Sequence, residues 1–267
     1  GRGVALTSDG SVLAVAHTSP PYITTYDWLE GAWVKRPNPA TLPTGAGRGV
    51  VLTSDGSVLA VAHTGSPYIT TYDWLEGAWV KRPDPATLPT YTGRGVALTS
   101  DGSVLAVAHD GSPYITTYDW LEGAWVKRPD PATLPTYTGR GVALTSDGSV
   151  LAVAHDGSPY ITTYDWLEGA WVKRPDPATL PTNTGWGVAL TSDGSVLAVA
   201  HDGSPYITTY DWLEGAWVKR PDPATLPTYT GNGVALTSDS SVLAVAHDDS
   251  PYITTYDWLE GAWVKRP

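Results

Sequence analysis

The stretch Gly3-Val4-Ala5-Leu6-Thr7-Ser8-Asp9-Gly10-Ser11-Val12-Leu13-Ala14-Val15-Ala16-His17 returns almost unchanged five more times. Its closing histidine falls at His17, His63, His109, His155, His201 and His247, a constant step of 46 residues. A period of this length defines a repeat architecture, in which each unit is too small to bury its own apolar face and must stack on its neighbours. The fold is therefore decided by what one repeat can form.

Within the first repeat, Gly3 to Ser8 reads as a strand, Asp9-Gly10 as a turn and Ser11 to His17 as a second strand; Asp-Gly between two β-rich runs is a strong hairpin signal. A loop at Thr18 to Pro21 leads to a third strand, Tyr22 to Asp27, rich in β-branched and aromatic residues. Trp28-Leu29-Glu30-Gly31 reads as a turn into a fourth strand, Ala32 to Arg36. The segment Pro37-Asn38-Pro39-Ala40-Thr41-Leu42-Pro43-Thr44 cannot supply a regular ladder, because proline lacks the N–H. No window holds a helical apolar period, so the chain is all-β.

The second strand is almost continuously apolar, which requires both of its faces to be buried. The fourth ends in Lys35-Arg36, charges that suit a solvent-facing edge. Four-stranded meanders buried on both faces and repeated radially make a β-propeller. The expectation is one propeller domain over 1–267, with blades 1–46, 47–92, 93–138, 139–184, 185–230 and 231–267. Blades one and six are then each whole, and closure of the ring would rest on side-chain packing without a shared blade.

The combination of Thr7-Ser8-Asp9-Gly10 between the first two strands and Tyr26-Asp27 near the end of the third resembles the WD-repeat propellers. Ser8 stands where that family usually carries proline, Tyr26-Asp27 stands for its Trp-Asp pair, and Gly3-Val4 replaces its Gly-His start. The resemblance covers all six repeats and implies a fold, with no implied activity. Repeats this uniform also resemble the highly symmetric propellers used as templates for, or made by, protein engineering.

Cys and Met are absent, as is Phe, so Trp and Tyr supply all the aromatic bulk. Without thiols there is no disulfide, thiolate metal site or thiol redox chemistry. The formal charge of −11 opposes non-specific attraction to nucleic acid. The longest apolar run falls far short of a membrane span. A start at Gly1, with no secretory signal, fits a processed, excised or engineered chain that is soluble.

The copies differ mainly in two places. One is the loop after the second strand, where Thr18 and Thr64 give way to Asp110, Asp156, Asp202 and Asp248. The other is the end of the Pro-rich linker, with Gly45, Tyr91, Tyr137, Asn183 and Tyr229, followed by Arg2, Arg48, Arg94, Arg140, Trp186 and Asn232 just before the first strand. In an up-and-down meander both connections lie on one face, and binding surfaces on rigid scaffolds are built on such loops. The last series should form a collar at one mouth of the channel. Guanidinium groups there suit carboxylate, sulfate or phosphate, and Trp186 suits a sugar or aromatic ring; neutral drift at an exposed position is the competing reading.

Histidine next to aspartate, as in His109-Asp110, suits a metal. His17 and His63 keep the histidine without the aspartate, which favours a structural role at a strand end and no metal. Asp9 and Asp27 are expected to satisfy turn amides. Trp28 and Trp33 are expected to pack blades, with a sugar-binding role as the alternative. No nucleophile elbow, Walker loop, dinucleotide fingerprint, zinc helix motif or EF-hand loop is present, no cofactor is implied, and a candidate group copied six times offers no asymmetric catalytic constellation. The expected function is a non-catalytic scaffold or binding module, quite compatible with an engineered near-symmetric propeller. Two alternatives stand beside it: a multivalent carbohydrate-binding propeller, and a protein-interaction module using the variable face.

Overall fold

The computed structural model describes residues 1–267. It is an all-β, six-bladed β-propeller with near-identical blades, each a sheet of four antiparallel strands in chain order. No helix is long and apolar enough to cross a membrane. The chain divides into two compact units, Gly1–Asp130 and Pro131–Pro267.

In the first unit, blade one is β1 (Gly3–Leu6), β2 (Val12–Ala16), β3 (Ile23–Leu29) and β4 (Ala32–Lys35), and blade two is β5 (Gly47–Leu52), β6 (Val58–His63), β7 (Ile69–Leu75) and β8 (Ala78–Lys81). Blade three repeats the pattern from Gly93–Leu98 to Ala124–Lys127. The first two strands are joined by a β-turn in which Gly10 N–H donates to the Thr7 carbonyl at 2.9 Å. The Asp9 carboxylate accepts from Thr7 Oγ1 (2.7 Å) and from Ser11 N–H (2.9 Å), and Thr7 Oγ1 accepts from Val12 N–H. These bonds hold Asp9 down at a pKa of about 2.

The expected turn at Trp28–Gly31 is shorter than the sequence suggested. Trp28 and Leu29 belong to β3, and Trp28 sits opposite Trp33. Only Glu30 and Gly31 turn, with φ of 49° and 83°, the two positive values that suit the twist of a tight hairpin.

Neighbouring blades bury a shared core. Val12, Ala14, Ala16 and Ile23 of blade one meet Leu59, Val61, Tyr72 and Trp79 of blade two. The second strand is buried along its whole length in blade two, as its unbroken apolar run required. First strands approach so closely that a Cβ on Gly49 would lie 2.8 Å from the Arg94 carbonyl oxygen, so only glycine fits there. The Pro-rich segment forms no strand, and it is held by Tyr72 Oη donating to the Thr41 carbonyl at 2.9 Å.

The fourth-strand arginine departs from expectation. It is not a solvent-facing edge charge: Arg36 and Arg82 are both buried. Arg36 Nε and Nη2 donate to Asp27 Oδ1 at 2.9 and 2.6 Å, and its guanidinium lies 4.0 Å from the Trp74 ring centre of the next blade. Asp27 therefore binds an arginine and not turn amides. Trp79 Nε1 donates back across the seam to Thr25 Oγ1 at 2.8 Å. A planar cation can pair with a carboxylate at its edge and cover an aromatic ring with its face, which a point-charge ammonium does less well.

The second unit repeats this arrangement. Its blades run over Gly139–Leu144 to Ala170–Lys173, Gly185–Leu190 to Ala216–Lys219, and Gly231–Leu236 to Ala262–Lys265. Trp217 and Trp263 donate to Thr163 and Thr209 at 2.8 and 2.9 Å. Arg174 and Arg220 lie 4.1 and 4.2 Å from the Trp212 and Trp258 ring centres.

Candidate functional site

The two variable segments are stitched together by the backbone. In blade three, Gly111 N–H donates to the Thr90 carbonyl at 3.0 Å and Asp110 N–H to the Thr92 carbonyl at 3.2 Å. The loop after the second strand and the end of the preceding linker thus form one surface. Asp156 and Gly157 make the same bonds to Thr138 and Thr136 in the second unit.

This stitching brings the collar position of a blade onto the loop aspartate of the same blade. Arg94 pairs with Asp110 through both Nε and Nη2. Arg140 Nε and Nη2 donate to the two Asp156 oxygens at 2.7 and 2.8 Å. Trp186 Nε1 donates to Asp202 at 2.5 Å, and Asn232 Nδ2 to Asp248 at 2.6 Å. The two variable series are therefore one series of pairs, always a donor on a carboxylate. In blades one and two the carboxylate is missing, because Thr18 and Thr64 occupy its place.

Arg2 and Arg48 are consequently left without a carboxylate. Arg48 Nε is buried and has no hydrogen-bond acceptor. Burial first, then the positive charges of Arg2 and Arg94, hold the Arg48 guanidinium below its ordinary pKa. Asp110 offsets this only in part. Three guanidinium groups within electrostatic reach, sharing a single carboxylate, form a positively charged spot on a chain of net charge −11. A guanidinium's fork of N–H groups matches the geometry of a planar or tetrahedral oxyanion.

The rest of the variable surface is aromatic or amide. Tyr91, Tyr137 and Tyr229 are exposed. Tyr229 stacks on Tyr206 with ring centres 6.1 Å apart. Asn183 accepts the Thr184 N–H at 2.7 Å. Trp186 has its ring face covered by Arg140, whose guanidinium lies 4.4 Å from the ring centre, so its face and edge are both engaged.

The histidines close the second strand from within. His63, His109, His155 and His201 are fully buried, each with Nε2 at 2.8 Å from a threonine hydroxyl on the third strand: Thr70, Thr116, Thr162 and Thr208. Burial pushes each imidazole down to about 4. No three His, Asp or Glu side chains gather where they could hold a metal ion. Asp110 and Asp156, the neighbours that suggested a metal pair, are turned onto Arg94 and Arg140. Of each blade's tryptophan pair, the fourth-strand member is buried in the seam in blades two, three, five and six. The third-strand ring is covered by the preceding blade's arginine in blades two, three, five and six.

No protein-family model and no curated protein matches the chain. Solved structures do. A hydrazine synthase from Kuenenia stuttgartiensis matches with a TM-score of 0.71 at 18% identity, covering 96% of this chain and 82% of that one. A Bacteroides fragilis protein provisionally assigned as a 6-phosphogluconolactonase matches with a TM-score of 0.74 at 15% identity, covering 99% of this chain and 82% of that one. The likeness is one of fold. At these identities it carries no residue of a site across.

Two features escaped the sequence reading. The Asp27–Arg36 pair and its five copies lie nine residues apart, the aspartate on the third strand and the arginine just past the fourth, and their only sequence signal was invariance in every copy. The coupling of the two variable series did have a visible signal: both arginines without a carboxylate partner lie in the two blades where threonine replaces aspartate.

Proposed function

We propose that the protein is a non-catalytic propeller scaffold that binds an oxyanion, a carboxylate or phosphate group, at Arg2 and Arg48 on its variable face. The observation that carries this reading is the buried, acceptor-less Arg48 Nε beside Arg2, in a surface where the other blades supply their own carboxylate. An unpaired buried donor costs about 1–3 kcal/mol, which an arriving acceptor recovers. The non-catalytic part rests on duplication. The buried polar groups (histidine with threonine, aspartate with arginine, tryptophan with threonine) recur from blade to blade and are engaged with one another. Against that repetition, blades one and two lack the loop carboxylate that the other four blades carry.

The test is a calorimetric titration with inorganic phosphate at low ionic strength. Wild-type protein should show saturable binding, and Arg48→Gln should weaken it at least tenfold without lowering the thermal midpoint measured in the absence of phosphate. Equal binding by both proteins would remove the site.

A further inference from the structure

The arginines of the first unit stand on strands that touch. Arg2 N–H donates to the Ala16 carbonyl at 2.8 Å, which seats it beside the first strand of blade one. A Cβ on the next residue, Gly3, would lie 2.9 Å from the Arg48 carbonyl oxygen, and one on Gly49 would lie 2.8 Å from that of Arg94. Arg2, Arg48 and Arg94 therefore follow one another at equivalent positions of neighbouring blades, with backbone against backbone and no spacer between them.

The charge of this spot can be counted. Arg94 is matched by Asp110, to which it donates through both Nε and Nη2. Arg2 and Arg48 have no carboxylate, so three arginines less one aspartate leave a net charge of +2. The two unmatched groups act on each other: after burial, the charge of Arg2 does most to lower the pKa of Arg48. The second unit has no such excess. Arg140 is matched by Asp156, and Asp202 and Asp248 accept from the neutral donors Trp186 and Asn232.

A singly charged ligand leaves one of the two guanidinium charges uncompensated. A phosphate monoester carries about −1.5 to −2 at pH 7 on the oxygens of a single tetrahedral group. Its charges are thus as concentrated as the two guanidinium groups on their touching strands. Arg48 is half-buried and meets such a group from within, whereas Arg2 is exposed and closes on it from the solvent side. Three acceptor oxygens allow both forks to be used at once.

We propose that the anion held at Arg2 and Arg48 is a dianion, the terminal phosphate of a phosphate monoester, and that Arg2 selects it over singly charged oxyanions. This rests on the anion-binding reading above and adds to it the charge of the ligand.

Calorimetric titrations at about pH 7.5 and fixed ionic strength test it, with methyl phosphate and methyl sulfate as probes. The two share one shape, and at this pH, above the second phosphate pKa of about 6, they differ by one unit of charge. Wild-type protein should bind methyl phosphate about tenfold more tightly, because the extra charge acts on both guanidinium groups. Arg2→Gln changes an exposed side chain and leaves Arg48 in place, and near-ultraviolet circular dichroism checks that it is folded. Its preference should fall to about threefold, the share that the one remaining guanidinium supplies. Equal binding of the two probes by wild type would overturn the dianion while leaving an anion site standing. An undiminished preference in folded Arg2→Gln would overturn the role of Arg2. Failure of both probes to bind wild type would overturn the anion site itself, and this inference with it.

Discussion

Acid should act on this protein through its histidines before its carboxylates. His63, His109, His155 and His201 are shielded from solvent, and burial lowers each imidazole from 6.5 to about 4. A depressed pKa in a base means that the fold favours its neutral form. As pH falls, the unfolded chain takes up these protons first. The stability from neutral histidine is therefore fully present above about pH 6.5 and is lost as pH falls towards about 4. The full shift corresponds to about 3 kcal/mol per histidine. At about pH 5 the linkage relation leaves a loss of about 2 kcal/mol each, on the order of 8 kcal/mol for the four in a cooperative transition. That is comparable with the whole stability of an ordinary domain. The turn aspartates, with Asp9 and Asp239 at about 2, add to the acid loss only below about pH 4, because their stabilisation is fully present above the unfolded carboxylate value and is lost as pH falls from there towards about 2. The assay is urea unfolding followed by tryptophan fluorescence at about pH 7.5 and about pH 5. His155→Gln, which keeps a polar partner for Thr162, should reduce the pH dependence by about a quarter. A midpoint that does not move between the two pH values would refute the reasoning.

The seam and turn chemistry makes further predictions. Asp73→Asn leaves the buried Arg82 without its carboxylate and should cost about 3 kcal/mol, whereas Asp84→Asn, in the exposed pair with Lys81, should cost under about 1 kcal/mol; urea midpoints distinguish the two. Thr71→Val removes the acceptor of Trp125 Nε1 without changing its volume and should cost about 1–3 kcal/mol in the same assay. Ser240 holds a φ of 56° where the equivalent Gly10 has 71°, so Ser240→Gly should stabilise by about 1 kcal/mol, read as a higher thermal midpoint.

Much of the fold could be read from one repeat. The apolar run Val58 to Ala62 demanded burial on both faces and has it. Thr7-Ser8-Asp9-Gly10 demanded a turn, and its hydroxyl and carboxylate supply the bonds that shape it. What could not be read was contact between repeats. Lys35-Arg36 looks like an exposed edge because local pattern reports a strand's own surroundings. The Trp74 ring that covers Arg36 comes from the next copy, 38 positions along the chain. At the variable face, Arg94 and Asp110 stand 16 residues apart in sequence and bond because backbone bonds join the linker to the loop. Sequence alone placed the arginines near one another. The sequence reading did not separate Arg94 and Arg140, already paired, from Arg2 and Arg48, although threonine in place of the loop aspartate in blades one and two carried that distinction.

The central claim is that Arg48 lacks the carboxylate that Arg94 and Arg140 have, and that an external anion takes its place. The most direct measurement is a phosphate titration of Thr64→Asp beside the wild type, because that change installs in blade two the aspartate that pairs with arginine in blades three and four. The account predicts a variant that is more stable than wild type and binds phosphate at least tenfold more weakly. Undiminished phosphate binding by a folded Thr64→Asp protein would contradict it.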